Sequence, residues 1–380
     1  MEIKRLHLKN FRNYKEEDIC FSRGISLIYG DNAQGKTNII EALYLFATGK
    51  SHRTRNMNEL IMHGEQFFYL LLEFEDKNYA QKIEIKFEKG KRKELFINEV
   101  KKDRLSDLLG IVPSVLFAPE SLLTIKGSPG ERRKLIDIVL CLVNKTYLYN
   151  LQKYNRILKN KNILLKQIQA GKQKPEMLNV WNESQAEAGA LIIKERVALT
   201  ESLETRMDRL LLGISDGGEN IKIRYKTSIV NCDNVSDGIL YTLNENMQKE
   251  IEQGICLYGP HRDDLEIDVN DKNSRIYCSQ GQQRSVALAL NIAILEEMEL
   301  RIGKTPLLLL DDVMSELDEK RQKYLFDIIN DKQTIITTTE KTKFMESGKE
   351  ISYIHIKNGK IIDQKEYQGN IPDEIQKQRW

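Results

Sequence analysis

Residues 30–37 read Gly30-Asp31-Asn32-Ala33-Gln34-Gly35-Lys36-Thr37, a Gly-x-x-x-x-Gly-Lys-Thr pattern. An apolar run over 25–29 precedes it, and apolar residues at helical spacing follow it over 38–47. In this strand–loop–helix context the glycines let successive backbone N–H groups turn inward around a β-phosphate. We therefore predict that all eight residues bind ATP, with Lys36 reaching the β- and γ-phosphates and the Thr37 hydroxyl holding Mg²⁺.

A second apolar run, over 307–310, ends in Asp311 and Asp312. Four consecutive leucines are typical of a strand that is buried in a parallel sheet. Seen alone, the two acids could simply begin a loop. Beside a phosphate loop, we predict that Asp311 binds Mg²⁺, directly or through water, and that Asp312 orients or deprotonates the attacking water. Lys36, Asp311 and Asp312 are then the catalytic residues.

A third segment, over 278–284, places Ser279 and Gly281 at the start of a helix predicted over 282–298. Such a helix start suits an anion, although a lone Ser-x-Gly-Gln is more often only a helix cap. Residues 315–318, Ser-Glu-Leu-Asp, resemble the D-loop of ATP-binding-cassette (ABC) ATPases, and 278–284 then resembles the signature segment of that class. The resemblance implies that Ser279, Gly281 and Gln282 contact ATP held by the opposite subunit of a head-to-tail homodimer.

Between these motifs the sequence becomes mainly helical. We predict one helix over 132–167, a break over 171–175, a second helix over 177–212 and a further helix over 239–251. The α/β pattern then returns. The expected fold is therefore an α/β P-loop ATPase head, residues 1–130 and 255–380, interrupted by a mainly helical arm, residues 131–254.

Composition limits the other possibilities. The net charge is only +2, so DNA binding would have to depend on local basic patches. No apolar run approaches the roughly 20 residues that span a bilayer, and the five cysteines are scattered without a Cys-x-x-Cys pair. We expect a cytoplasmic protein with no membrane partner and no zinc site.

Further segments extend the resemblance over nearly the whole chain, and their order is specific: Asn10-Phe11-Arg12-Asn13-Tyr14, Ser51-His52-Arg53-Thr54, Phe117-Ala118-Pro119-Glu120, Gly127-Ser128-Pro129-Gly130-Glu131-Arg132-Arg133, Tyr258-Gly259-Pro260-His261-Arg262-Asp263-Asp264-Leu265 and Ser279-Gln280-Gly281-Gln282-Gln283-Arg284. With the helical interruption and the chain length, this set resembles the RecF family of DNA replication and repair proteins, whose fold is related to SMC heads.

The RecF resemblance implies a protein that dimerises with ATP on DNA and hydrolyses ATP slowly. It also implies action on double-stranded and gapped DNA with RecR and RecO, help in loading RecA, and a link to the SOS response. By matching position, Arg12 and Asn13 would lie near the nucleotide and Asn32 near the γ-phosphate.

Three departures from the ABC pattern affect the chemistry. Asp312 stands where these ATPases usually carry Glu, no Gln occurs in the segment 117–120 that resembles the Q-loop, and 337–339 offers no switch histidine. Slow hydrolysis is the expected consequence.

The DNA contacts are inferred from basic residues alone. Our candidates are Arg53 and Arg55, after the phosphate-loop helix, and His261 with Arg262, since duplex binding without sequence preference needs cations against phosphates. The alternative for Arg262 is a local ion pair with Asp263 or Asp264. His52 is either a structural histidine or a DNA ligand.

Other functions remain open from sequence. A full SMC protein would need a far longer coiled-coil insertion. A transporter ATPase shares the signature segment but not the other segments. A third possibility is an ATP-gated clamp in which hydrolysis is incidental.

Overall fold

The computed structural model describes residues 1–215, 218–230, 234–339 and 351–367. Packing divides them into two units. Unit 1 combines Met1–Ser121 with the described residues from Met298 onward, and unit 2 is Leu122–Glu297. These boundaries differ from the predicted ones, since residues 255–297 pack with the helical unit. None of the described helices has the length and apolar character needed to cross a membrane.

Strands and helices alternate along the described parts of the chain. The strands are Glu2–Phe11 (β1), Tyr14–Cys20 (β2), Ile25–Tyr29 (β3), Phe67–Asp76 (β4), Tyr79–Glu88 (β5), Glu94–Ile97 (β6), Val100–Lys102 (β7), Ser114–Phe117 (β8), Ile221–Lys226 (β9), Asp264–Val269 (β10), Lys272–Asn273 (β11), Leu307–Asp311 (β12), Thr334–Thr338 (β13), Ile351–Lys357 (β14) and Lys360–Tyr367 (β15). The helices are Lys36–Thr48 (α1), Leu122–Lys126 (α2), Pro129–Val143 (α3), Lys145–Gln169 (α4), Leu178–Ile214 (α5), Val235–Glu245 (α6), Met247–Gln253 (α7), Ser274–Tyr277 (α8), Gln280–Ile302 (α9) and Glu319–Ile329 (α10).

Unit 1 contains a sheet with the strand order β15-β14-β3-β13-β12-β8. All neighbours in it are parallel except β14 and β15. Thr337 of β13 pairs with Asp311 at the end of β12, and Thr338 pairs with Tyr29 at the end of β3. The predicted phosphate loop and the predicted acids therefore follow strands that end at one edge, which is where ligands bind in parallel sheets.

A second sheet of unit 1 is antiparallel, with the order β2-β1-β4-β5-β6-β7. Its apolar face shares one core with α1 and with the parallel sheet; Leu8 and Leu70 of the antiparallel sheet, Ile40 of α1 and Leu309 of β12 all belong to this core. Because α1 is covered on several sides, ten of its residues after Lys36 are buried, including Glu41. A helix that is buried around most of its circumference places its N-terminus rigidly.

Unit 2 is built on two long helices, α4 and α5. Contacts run from Tyr147 with Arg196 to Lys161 with Gln185, so the two helices are antiparallel. The single helix predicted over 132–167 is wrong, because α3 and α4 separate at Asn144. That residue is extended, with φ −139° and ψ 103°, and its side chain accepts a hydrogen bond from the Tyr147 N–H as the N-cap of α4.

The helix predicted over 239–251 is also two helices, α6 and α7, which separate at Asn246. The Asn246 side chain donates to the Thr242 carbonyl oxygen at 2.8 Å, a local bond that competes with helix continuation. A small antiparallel sheet, β11-β10-β9, completes the unit. Its central strand, β10, buries the alternating apolar residues Leu265, Ile267 and Val269.

Candidate nucleotide-binding site

The loop between β3 and α1 adopts backbone conformations that favour glycine. Gly30 has φ 152°, Ala33 φ 63° and Gly35 φ 112°. A Cβ on Gly30 would lie 2.3 Å from the Ile356 carbonyl oxygen, and one on Gly35 would lie 2.6 Å from Nδ2 of Asn13. Glycine is therefore required at both positions by the packing of the loop, independently of any ligand.

The N-terminus of α1 is open to an anion. Its N-cap is a glycine without a side-chain bond, and its first turn carries no acid. The Lys36 ammonium donates to the carbonyl oxygens of Gly30 and Asp31, at 2.7 Å each. Burial lowers the pKa of Lys36, and three neighbouring aspartates act against that fall. The positive end of the helix dipole and the nearby ammonium both favour an anion at this N-terminus, as binding of a polyphosphate requires.

The rest of the loop is divided between exposed and anchored residues. Asp31, Asn32 and Ala33 are exposed. Gln34 is anchored, because its carbonyl oxygen accepts a hydrogen bond from Nδ2 of Asn13 at 2.9 Å and its Oε1 accepts one from the Asn358 N–H at 2.5 Å. The predicted nucleotide residue Asn13 therefore holds the loop directly.

Asp311 lies against the phosphate-loop threonine. Thr37 Oγ1 donates to Asp311 Oδ1 at 2.9 Å, and Thr337 Oγ1 donates to the same oxygen at 2.7 Å. Burial raises the pKa of Asp311, and the two hydroxyl donors act against this rise. Carboxylate and hydroxyl oxygens are hard ligands of the kind that Mg²⁺ prefers. Since the described residues contain no cluster of three or more His, Cys, Asp or Glu side chains suited to a metal, phosphate and water oxygens would complete the shell.

Asp312 has an unusual backbone and an unsatisfied side chain. Its φ of 51° is left-handed, and its N–H donates to Thr337 Oγ1 at 3.0 Å. The Oδ1 atom is buried, and it has no hydrogen-bond partner in the part of the chain that the structure describes. Ser315 Oγ donates to the Asp312 carbonyl oxygen at 2.7 Å, which fixes the turn. A buried carboxylate oxygen without a donor is suited to accept a hydrogen bond from a water molecule.

His52 and Glu120 interact electrostatically with Asp311. Burial lowers the pKa of His52, and the carboxylates of Glu41, Asp311 and Glu120 act against that fall. Both ring nitrogens are buried and lack partners among the described residues, and the ring stands edge-on to Tyr44. The Glu120 charge also raises the pKa of Asp311. The charge of Glu120 thus acts on Asp311 from the segment that resembles the Q-loop, where ABC ATPases carry glutamine.

Arg12 and Arg53 meet at a buried glutamate that sequence reasoning missed. Glu41 is 0% exposed and accepts two hydrogen bonds from the Arg12 guanidinium, at 2.8 and 2.7 Å. Ser51 Oγ donates to it at 2.5 Å, and Arg53 Nη1 lies 3.6 Å away. Burial alone would raise the pKa of Glu41, but the Arg12 and Ser51 donors lower it overall. The sequence did contain a signal for Glu41, namely a single acidic residue among the apolar residues of the helix that follows the phosphate loop.

A chain of hydrogen bonds joins this cluster to the phosphate loop. Asn13 Oδ1 accepts a hydrogen bond from Asn38 Nδ2 at 2.8 Å, and Asn38 Oδ1 accepts one from Arg53 Nη1 at 2.9 Å. With the bond from Asn13 to Gln34, the chain runs from the loop to an arginine that is 41% exposed. Arg55 is exposed as well.

The signature segment begins α9, and its geometry is that of a capping box. Ser279 Oγ accepts a hydrogen bond from the Gln282 N–H at 3.2 Å, and the Ser279 N–H donates to Gln282 Oε1 at 2.9 Å. A Cβ on Gly281 would meet only Ser279 Oγ, at an ordinary 3.9 Å. Packing within the described residues therefore does not require glycine there, although glycine weakens a helix.

His261 and Arg262 are held by backbone and tyrosine groups of unit 2. The two ring nitrogens of His261 contact Tyr154 OH at 2.7 Å and the Cys256 carbonyl oxygen at 3.2 Å, and burial lowers the pKa of His261 to about 4. The DNA contact predicted for His261 would have no free ring nitrogen. Arg262 is exposed but donates to the Cys256 carbonyl oxygen at 3.0 Å.

The local ion pair considered for Arg262 is not formed with either neighbouring acid. The Asp264 carboxylate instead accepts a bidentate pair of hydrogen bonds from Arg132, at 2.8 and 2.9 Å, and Asp263 Oδ2 accepts one from Tyr225 OH. These bonds join two of the sequence segments singled out above, 127–133 and 258–265.

Comparisons with known proteins agree with this geometry. The profile of the RecF/RecN/SMC N-terminal domain matches residues 2–363. DNA replication and repair protein RecF of Acetivibrio thermocellus is 42% identical over 349 residues, which cover 90% of this chain and 95% of the relative. RecF of Clostridium kluyveri is 44% identical over 339 residues, which cover 89% and 93%.

Solved structures give the same result. A structure of the recombination mediator protein RecF with ATP, in the RecFOR pathway, has a TM-score of 0.88 and 34% identity, and the match covers 96% of this chain and 97% of that one. An SMC head bound to the C-terminal winged-helix domain of ScpA has a TM-score of 0.58 at 18% identity, which shows a shared fold alone. The predicted fold class, an ATPase head of ABC/SMC type, is confirmed.

Proposed function

The chain belongs to the RecF family, a family of ATPases with a role in recombinational DNA repair, and from this premise we propose that ATP closes two copies of it on duplex or gapped DNA. Slow, DNA-dependent hydrolysis of ATP then opens the dimer. In the cytoplasm, this cycle helps RecO and RecR to load RecA at gaps and links the protein to the SOS response.

One observation carries the proposal: Asp311 of β12 and Thr37 of the phosphate loop are hydrogen-bonded at 2.9 Å although 274 residues separate them in sequence. Such a pair brings a carboxylate and a hydroxyl to the end of the polyphosphate-binding loop. When bound there, Mg²⁺ would be held by both residues and would supply positive charge to the β- and γ-phosphate oxygens.

The residues of the chain supply the remaining steps. N–H groups of the loop and of α1 receive phosphate oxygens, and the Lys36 ammonium exchanges its carbonyl partners for them. Asp312 accepts a hydrogen bond from the attacking water through its unpartnered Oδ1 and orients that water. Its side chain is one methylene shorter than the usual glutamate, which is a reason for slow turnover.

The second half of the site comes from the signature segment of the partner. Ser279 and Gln282 preorganise the first turn of α9, and Gly281 leaves room beside it. The γ-phosphate held by one copy then contacts Ser279 and Gly281 of the other, so that each bound ATP joins two chains. Arg53 and Arg55 are placed to contact DNA phosphates, and the hydrogen-bonded chain through Asn13 and Asn38 connects Arg53 to the loop.

Sedimentation at micromolar concentration, with a non-hydrolysed ATP analogue and duplex DNA, tests the dimer. We expect a dimer with the analogue and a monomer for Lys36→Ala. A wild-type chain that remains monomeric with analogue and DNA would overturn the proposal.

A mixing experiment tests the composite site itself. Lys36→Ala keeps the signature segment intact, and Gly281→Asp keeps the phosphate loop intact. Neither variant alone should hydrolyse ATP, whereas an equal mixture should, because mixed dimers contain one complete site. Absence of recovered activity from a mixture that forms mixed dimers would show that the two segments do not act together.

A further inference from the structure

A long part of the arm contains no acidic residue. Residues 138–175 include no Asp or Glu, although the chain has 56 acids in 380 residues and about five or six would be expected here. The same stretch carries eight basic residues: Lys145, Lys153, Arg156, Lys159, Lys161, Lys166, Lys172 and Lys174. The small net charge of the whole chain, +2, does not reflect the strongly basic character of this segment.

Most of these cations lie on one face of α4. At 100° per residue, an arc of roughly 140° contains Lys145, Lys153, Arg156, Lys159 and Lys166. All five side chains are exposed, and together they are called the basic face of α4. The opposite side of the helix is buried, through residues such as Tyr154, Ile157 and Leu165.

Lys161, on the same helix, is a lysine with a structural role and differs from the exposed cations in burial and in its partners. It is 0% exposed, and its ammonium lies 2.8 Å from a Glu250 carboxylate oxygen and 2.9 Å from Gln185 Oε1. On the basic face, Lys153 lies 3.8 Å from Glu187. Within the described parts of the chain, the other four cations form no ion pair.

An ordinary solvated helix face would alternate charges, because unlike charges three or four residues apart stabilise a helix and like charges destabilise it. The basic face instead places Lys153, Arg156 and Lys159 three residues apart. It also exposes Tyr149 and Ile163, which are 67% and 49% accessible. An anionic partner would remove the repulsion and cover both apolar side chains.

We infer that the basic face of α4 binds the sugar-phosphate backbone of duplex DNA. The inference rests on the proposed function and adds a contact surface to it. From Lys145 to Lys166 the helix rises about 31 Å, close to the length of nine base pairs. A rigid, straight row of cations fits a rigid duplex. A single strand would need several aromatic platforms, whereas α4, which the structure describes in full, exposes Tyr149 alone among its aromatic side chains.

Salt dependence of binding tests this surface in the full-length chain. Affinity for a duplex, with the ATP analogue present, is measured over a range of salt concentrations. The variant is K145Q/R156Q/K159Q/K166Q. The matched control, K77Q/K86Q/K89Q/R92Q, also replaces three lysines and one arginine, all of them exposed in unit 1.

If each cation contacts one phosphate, the variant should lower the slope of log affinity against log salt by about three to four, and the control should not. Replacing the three lysines by arginine should keep the wild-type slope. Dimer formation with the ATP analogue alone should be unchanged in every variant, which also shows that each one folds.

Three results would count against the inference. A wild-type slope in the α4 variant would overturn it and leave the proposed function intact. An equal loss of slope in the control would also overturn it, because the effect would then reflect net charge. A wild-type chain without affinity for duplex DNA would remove the proposed function and the inference together.

Discussion

The phosphate loop in unit 1 and the signature segment in unit 2 both place glycine beside a helix N-terminus, but the two are held in different ways. At the phosphate loop, Gly30 is required by the close Ile356 carbonyl oxygen, and Gly35 by its φ of 112° and the close Asn13 side chain. The N-terminus of α1 has no side-chain cap. At the signature segment, Ser279 and Gln282 cap α9, and Gly281 meets no obstruction.

The difference shows which half of the site is complete within one chain. The loop is fixed by Asn13, Gln34 and the turn after β14, and it has Lys36, Thr37 and Asp311 around one position. The first turn of the signature helix is closed by its own side chains. Under the proposed function, its glycine serves the approach of a second molecule.

Asp312→Asn should have the largest effect, because Asp312 is the residue that we propose orients the attacking water. We expect ATP hydrolysis to fall by about 10²- to 10⁴-fold, measured as phosphate release. ATP-dependent dimerisation should persist, since both helix N-termini are unchanged. If nucleotide-dependent release from DNA continues at the wild-type rate, the protein is an ATP-gated clamp and hydrolysis does not reset it.

Glu41→Gln tests how α1 is anchored. Loss of this buried charge leaves the Arg12 guanidinium without its partner, so we expect the free energy of unfolding to fall by about 3 kcal/mol. Glu16→Gln is the control, because Glu16 pairs with Lys9 at 3.1 Å but is 54% exposed; its cost should stay below about 1 kcal/mol. Equal losses in a denaturant titration would contradict the role of Glu41.

Gly30→Ala should destabilise the loop without any ligand present. The new Cβ would meet the Ile356 carbonyl oxygen at 2.3 Å, and φ would remain at 152°. We expect a loss of about 2 to 3 kcal/mol, seen as a lower melting temperature of the nucleotide-free protein. An unchanged melting temperature would show that the loop relaxes easily and that its glycines serve the ligand alone.

Gly281→Ala should have the smallest effect on stability and the opposite sign. Alanine favours the first turn of α9, so stability should rise by about 0.5 kcal/mol. ATP-dependent dimerisation should nevertheless weaken, because the methyl group occupies space needed by the partner's nucleotide. Sedimentation and thermal melting on the same sample separate the two effects, and a variant that dimerises normally would remove the functional reason for this glycine.

The sequence by itself determined the elements that depend on local pattern. The loop of residues 30–37, the strand before the acids and the start of α9 could be predicted because glycine spacing, apolar runs and capping residues act over a few positions. The presence of two long helices, α4 and α5, could be predicted. The breaks at Asn144 and Asn246 could not, because an asparagine is compatible with either the interior of a helix or its end.

Only the tertiary structure decided which distant groups meet. It placed Thr337 on Asp311 and Arg12 on Glu41, brought the Glu120 charge near Asp311, and engaged both ring nitrogens of His261. It also left the five cations of the basic face of α4 exposed and buried Lys161 on the same helix. Sequence specifies local conformation through short-range sterics and hydrogen bonds, whereas burial and charge pairing arise from contacts across the fold.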